Sequence, residues 1–349
     1  MSEGDIRKND HISLTGYSQI NPDEVDTRFC YEPMLSSHKD MESAYRPFQF
    51  LGKQMHYPAW ISSMTGGNGE TQEINYNLAR VAGKYGLGMG LGSVRKLLED
   101  DSAFDSFNLR PILGDNTPLM ANIGICQVAE LVKKDAIFAM EDVLNSLKAD
   151  ALMVHVNPLQ EFFQSEGDRL SEAPINVIKK LLGKANFPVG VKEVGQGFGP
   201  LSLMELVALP LQVLEFGAFG GTNFTKLELL RHNNNKYLSN MTPVAMVGHT
   251  ASDMVNQLAQ LFSEQSREIL PREFIISGGI RSWIDGYYLV TKLDGILGEY
   301  ESCKEKKCVF GQAGAFLAHA CESFESLDEY VEQMICGLKL AKTYLTVRE

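Results

Sequence analysis

The chain has 349 residues, 44% of them hydrophobic, which suits one large α/β barrel or two ordinary domains with a sizeable core. Its formal net charge of −12 repels nucleic acid and anionic membrane, so an anionic ligand needs a local cluster of cations. No apolar stretch reaches the length of a bilayer span and MSEGDIRKND has no apolar signal-peptide centre, so the expected location is the cytoplasm.

The first fifty residues are polar and irregular, with scattered Pro and Tyr, and are expected to form an N-terminal arm or cap. Beyond them, eight short β-favouring runs recur: YPAWISSM, GLGMGLGS, PLMANIG, ALMVHVN, FPVGVKEV, QVLEFGAF, FIISGG and CVFGQAGA. Stretches with helical periodicity, such as INVIKKLLGKANF, separate them. Apolar runs alternating with amphipathic helices predict a parallel sheet covered by helices. Eight units fit a (β/α)8 TIM barrel over residues 51–349. A doubly wound sheet would show a dinucleotide fingerprint after its first strand, and SMTGGNG is not one. The glycines of GLGMGLGS are expected to permit close backbone approach within a strand. EYESCKEKK, before the last run, predicts a solvated loop. Cysteines 30, 126, 303, 308, 321 and 336 are dispersed, which predicts reduced, mostly buried thiols and no metal-thiolate site.

A barrel carries its functional groups at the C-terminal ends of its strands. Here every run ends in polar or glycine residues. They are Ser63, Met64 and Thr65; Ser93 and Arg95; Asn122; His155 and Asn157, followed by Gln160 and Glu161; Lys192 and Glu193; and Gly220, Gly221 and Thr222, with Glu228 and Arg231 beyond. The last two runs end in SGGIR and GQAGA, small-residue turns before helix starts. Their free N–H groups and Arg281 suit a phosphate. Lys192 lies inside VGVKEVG and must point to a polar cavity, where it would stabilise negative charge on a bound ring. Asn157 and Glu161 are four apart, so a helix beginning at Pro158 would let both oxygens converge on a hard cation such as Mg²⁺. Gln160 is expected to point elsewhere, toward a substrate, and His155 shares the strand face with Asn157. Arg7, Lys8 and His11 form a basic patch that could clamp an anion if the arm folds over its own barrel mouth or a neighbour's.

RKNDHI, SSMTGG, GLGSVRK, ANIG, HVNPLQEFFQSEGD, VGVKEVGQGFG, GGTNFTKLELLR, SGGIR and GQAGA occur in the order seen in type 2 isopentenyl-diphosphate isomerases, which the chain resembles from about residue 6 onward. The resemblance implies an FMN-dependent (β/α)8 isomerase that converts isopentenyl diphosphate to dimethylallyl diphosphate with reduced FMN and Mg²⁺, and NADPH is a further expected cofactor. It implies that Met64, Thr65, Ser93, Asn122, Lys192 and Thr222 line the flavin, while Gly279, Arg281, Ala313 and Gly314 hold its phosphate. Arg7, Lys8, Arg95 and His155 would bind the substrate diphosphate. Asn157 would orient the substrate and serve the metal with Glu161, Gln160 would lie by the reacting carbons, and Glu228 near the flavin. Gln160, Lys192 and Glu228 are then the catalytic set. A small diphosphate is the expected partner, and a homo-oligomer (dimer, tetramer or octamer) the expected assembly.

The chain departs from the family at Trp283, where a glycine is usual, at Phe219 and Phe224, in GYYLVTK, and in the extra length of EYESCKEKK. All of these are expected near the phosphate end. Two other readings fit the same runs. One is an FMN-dependent 2-hydroxy-acid oxidase or dehydrogenase, which needs a histidine base with a paired arginine; His249 in GHTASD is the candidate, and no arginine stands beside it in the sequence. The other is a non-catalytic protein that binds flavin or an isoprenoid diphosphate.

Overall fold

The computed structural model describes residues 3–67, 69–231, 235–263 and 270–348. Each of the eight apolar runs forms a strand: β1 (Ala59–Ile61), β2 (Gly88–Ser93), β3 (Leu119–Gly124), β4 (Ala151–His155), β5 (Val189–Lys192), β6 (Val213–Glu215), β7 (Glu273–Ser277) and β8 (Lys307–Gln312). They pair in parallel, each with its neighbours in sequence, and β8 closes on β1 to complete a barrel. The fold is therefore the expected (β/α)8 TIM barrel.

Side chains alternate across the strands and build two cores. On β4, Leu152 and Val154 face the surrounding helices, whereas Ala151 and Met153 join Trp60, Met120, Val213, Ile275 and Val309 in the interior. The glycines of β2 admit close neighbours: a Cβ on Gly88 would lie 2.1 Å from the Trp60 ring, and one on Gly92 1.6 Å from the Thr65 carbonyl oxygen.

A hairpin seals the end of the barrel where the strands begin. Phe48–Phe50 pairs antiparallel with Lys53–Met55, and Leu51 and Gly52 turn between them at φ 54° and 68°, as a two-residue primed turn requires. Phe50 packs 5.6 Å from Trp60, and Phe50 and Met55 are fully buried. Glu273, the first residue of β7, accepts from Leu51 N–H at 2.6 Å and Gln212 Nε2 at 3.0 Å, so its buried carboxylate is satisfied.

The arm is less irregular than its composition suggests. Glu3–Leu14 is a helix, and Phe29–Tyr31 pairs antiparallel with Leu345–Val347 near the C-terminus. Yet every residue from 6 to 27 is exposed, because EGDIRKNDHISL offers no continuous apolar stripe to bury. Among the described residues no helix is long and apolar enough to cross a membrane. All six cysteines are free; Cys126, Cys303 and Cys308 are buried, Cys30 is half-buried, and Cys321 and Cys336 are exposed.

Of the departures from the family, Trp283 stands on the expected phosphate rim, two residues past Arg281, but turns outward, and EYESCKEKK lies at the other end. Ser282 caps helix Trp283–Gly298, and Trp283 seats on helix Phe324–Tyr344, where a Cβ on Gly337 would fall 2.3 Å from the indole. The indole thus fills a helix–helix contact on the outer layer. The 299–307 stretch joins that helix to the start of β8, so it lies at the opposite rim. There Cys303 is buried and Lys306 Nζ donates to Pro271 O at 2.8 Å.

The hairpin yields a stability prediction. Phe50→Ala should lower the unfolding free energy by about 3–5 kcal/mol in urea titration, as other large-to-small core changes do. A loss below about 1 kcal/mol would show that the hairpin is not part of the cooperative core.

Candidate active site

At the other end of the barrel the inward side chains turn polar. His155, Lys192, Glu215 and Ser277 end their strands there, with Asn122 two residues before the end of β3 and Ser62 just past β1. Lys192 on β5 is the register partner of Glu215 on β6, and Ser62 Oγ donates to Glu215 Oε1 at 2.7 Å. Lys192 is 8% exposed and Glu215 2%. Burial pushes the Lys192 ammonium below its ordinary pKa, while the Glu215 and Glu193 carboxylates pull it back. Sequence reasoning placed Lys192 in a polar cavity, which is where it lies, but overlooked Ser62 and Glu215. The glutamate inside QVLEFGAF carried the same signal, a charge within an apolar strand.

Above this layer opens a cavity of about 360 Å³. Six of the expected cofactor residues line it: Lys192, Thr222, Gly279, Arg281, Ala313 and Gly314. Gly278 and Gly279 have φ of 85° and 73°, and a Cβ on Gly278 would meet Ala218 main chain at 2.1 Å. Helix Gly314–Glu322 begins at the cavity, so its first-turn N–H groups lack intrahelical acceptors and face the space an anion would fill. The other four expected cofactor residues stand on the neighbouring arc of the rim. Thr65 Oγ1 donates to Asn75 Oδ1, Met64 packs against the outer core, and Ser93 is the register partner of Asn122.

The HVNPLQE segment folds as the spacing demands. Asn157 is the N-cap of helix Pro158–Phe163, whose first turn brings residues 160 and 161 back over it. Asn157 Nδ2 donates to Gln160 Oε1 at 3.0 Å and to Glu161 Oε1 at 3.1 Å. Gln160 therefore points toward Asn157 and not elsewhere. Asn157 Oδ1 is buried without a partner, on a side chain whose amide nitrogen already bonds the Glu161 carboxylate. An unpaired amide oxygen close to a carboxylate is the kind of hard oxygen donor set that fits Mg²⁺. No group of three or more His, Cys, Asp or Glu able to hold a metal occurs among the described residues. A metal here would therefore take its remaining ligands from water or a bound phosphate.

The remaining expected residues are scattered. Arg95 reaches Asp168 Oδ2 at 3.6 Å from Nη1. Glu228 is buried on helix Phe224–Arg231, where Arg231 Nη1 donates to its Oε2 at 2.6 Å, and it does not line the cavity. Arg7 and Lys8 lie on the exposed arm and do not line this cavity. His249 lines a separate hollow of about 230 Å³ with Asn157 and Gln160.

His155 lies inside the mouth, its Nδ1 3.0 Å from Asn122 Oδ1. Burial, helped by Lys192, lowers its pKa to about 3, although part of the side chain stays accessible. A carbonyl acceptor on Nδ1 selects the Nδ1–H tautomer and leaves Nε2 free. Unfolded, this histidine titrates near 6.5, so the unfolded chain binds the proton first and stability is lost as pH falls below 6.5. The loss approaches about 1.4 kcal/mol per pH unit at most. His155→Gln should therefore gain stability relative to wild type between pH 6.5 and 4 in urea midpoints, and a pH-independent difference would contradict the neutral, buried ring.

No protein-family model matches the chain. It is 32% identical over 345 residues to the isopentenyl-diphosphate delta-isomerase of Rickettsia africae (strain ESF-5), covering 96% of this chain and 91% of that protein. The corresponding protein of Rickettsia felis (strain ATCC VR-1525 / URRWXCal2) is 35% identical, covering 96% and 90%. Among solved structures, a mandelate oxidase with a monooxide FMN adduct matches with a TM-score of 0.51 at 11% identity, over 92% of this chain and 88% of that one. A mandelate oxidase with (S)-2-phenylpropionate matches with the same score at 14% identity, over 92% and 86%, and both likenesses concern the fold alone. With relatives above 30% identity along almost its whole length, the chain belongs to the isopentenyl-diphosphate delta-isomerase family.

Proposed function

We propose that the protein isomerises isopentenyl diphosphate to dimethylallyl diphosphate, with reduced FMN in the glycine-walled cavity and Mg²⁺ between the substrate diphosphate, Asn157 and Glu161. The observation that carries this reading is the Lys192–Glu215–Ser62 layer directly beneath that cavity. It is a fixed cation under a space wide enough for a ring and bordered by phosphate-binding turns. Reduced FMN, when bound, supplies an acid–base group that can reach an alkene, a proton acceptor too weak for ordinary side chains.

The chain's own residues supply everything else. Gly279, Arg281, Ala313 and Gly314 hold the cofactor phosphate through main-chain donors and one guanidinium. Lys192 stabilises negative charge on the ring, and the Glu215 carboxylate, fixed by Ser62, together with Glu193 favours its charged form. Met64, Thr65, Ser93, Asn122 and Thr222 border the ring. Asn157 and Glu161 anchor the metal, and Arg95 and His155 meet the diphosphate. Gln160, fixed by Asn157, stands by the reacting carbons. Glu228, held by Arg231, is the third catalytic group of this reading. Anchoring the diphosphate holds the double bond in one place, so protonation at one carbon and proton loss at another occur without a roaming intermediate.

In the same reading NADPH reduces the flavin and the enzyme works in the cytoplasm. Residues 1–50 serve as arm and 51–349 as barrel. The protein is a homo-oligomer in which Arg7 and Lys8 reach a neighbour's mouth, supported by the exposure of Ile6, Ile12, Leu14, Tyr17 and Ile20 on the arm.

An anaerobic assay with FMN, NADPH, Mg²⁺ and isopentenyl diphosphate tests the proposal by formation of dimethylallyl diphosphate. Gln160→Ala and Glu161→Ala should each lower turnover by at least about 100-fold, as loss of a positioned catalytic group does. Both should retain bound flavin, and wild-type rates in either variant would reject its assignment.

A further inference from the structure

The loop after helix Pro158–Phe163 ends in Glu166, Gly167, Asp168 and Arg169, and its tip grips both halves of the candidate diphosphate site. Asp168 main-chain N–H donates to Glu161 Oε2 at 2.8 Å. The Asp168 carboxylate accepts from Gln127 Nε2 at 3.0 Å and faces Arg95 Nη1 at 3.6 Å. Arg169 Nη2 donates to Phe162 O at 3.1 Å, and its Nη1 donates to Glu161 O. At Gly167 a Cβ would fall 2.1 Å from Glu161 O, so the tip lies flat against the helix it follows.

Gln127 adds a further connection. It stands in the first turn of helix Ile125–Lys133, which starts at the end of β3. A Cβ built on Gly124 would lie 2.4 Å from Gln127 Oε1 and 3.0 Å from His155 Nε2, so both atoms border the same small space over the end of β3. Donating its amide N–H to Asp168 turns Gln127 Oε1 toward that space. One residue thus touches the segments carrying Glu161, Arg95 and, through Gln127, His155.

We infer that Asp168 is a positioning residue for the diphosphate: its carboxylate aims Arg95 and Gln127 while its main chain orients Glu161. The inference rests on the diphosphate reading of this rim and goes beyond it by assigning the group that aligns the binding residues. Asp168 itself carries negative charge and is not expected to touch a diphosphate. It acts by sharing the Arg95 guanidinium with Glu99: Asp168 faces Nη1 at 3.6 Å while Glu99 lies 3.7 Å from Nε, so the two carboxylates together fix its orientation.

Asp168→Asn is nearly isosteric. It keeps an oxygen for Gln127 and removes the charge that faces Arg95, at a side chain 45% exposed. Binding of inorganic pyrophosphate to the FMN-loaded protein with Mg²⁺, measured by calorimetry, reads the effect in wild type, Asp168→Asn, Arg95→Ala and the double variant. Asp168→Asn should weaken binding about five-fold, the scale of one exposed ion pair. It should leave FMN affinity and melting temperature unchanged, and in the Arg95→Ala background its effect should vanish. In the isomerase assay the same variant should raise KM with little change in kcat. Wild-type pyrophosphate affinity in Asp168→Asn, or an effect that persists in full without Arg95, overturns the positioning role alone. A wild-type protein that binds FMN but no pyrophosphate removes the diphosphate reading, and the positioning role with it.

Discussion

The placement of Lys192 beside the Glu215 and Glu193 carboxylates is the constraint on which the rest of the site depends. An ammonium inside a barrel is costly to desolvate, and nearby carboxylates offset part of that cost. Parallel pairing of β5 and β6 sets Lys192 and Glu215 in register, and Ser62 adds a hydrogen bond to Glu215 from the far side of the mouth. Below them Trp60, Met120, Met153, Val213, Ile275 and Val309 fill the interior with apolar atoms. The charges have one direction to face, toward the cavity above. Packing at the closed end thereby fixes electrostatics at the open end.

The rim divides by chemistry. The arc from β6 to β8 is built of glycine turns, where main-chain N–H groups can approach an anion and a Cβ would collide with neighbouring backbone, as at Gly278. The arc from β2 to β4 is built of side chains: Arg95, Asn122, His155, Asn157 and Glu161, most of them bonded to one another or to the loop that follows. A ligand with a ring-bearing phosphate suits the first arc, and a small diphosphate suits the second. Lys192 on β5 stands between them, where both ligands would feel its charge.

The barrel was legible because strand and helix periods alternate eight times, and all eight apolar runs became strands. Lys192 was legible for a similar reason: a charge inside an apolar run has to face a polar interior. Glu215 obeyed the same rule and was overlooked because no motif drew attention to it. Gln160 was misjudged in direction, since a single helical turn at an N-cap gathers both i+3 and i+4 side chains, not one of them. The outward seat of Trp283 was illegible, because it depends on a space opened by Gly337, 54 positions away. The roles of Asp168 and Gln127 likewise arise from contacts between separate segments that no local pattern encodes.

The reduction potential of the bound flavin tests the central claim most directly. The apoprotein should take up FMN, and Lys192→Gln should lower the two-electron potential of the bound cofactor by at least about 30 mV relative to wild type, roughly the loss of a tenfold preference for the reduced anion. A potential unchanged or raised in Lys192→Gln, or a wild-type protein that takes up no FMN, would contradict the account.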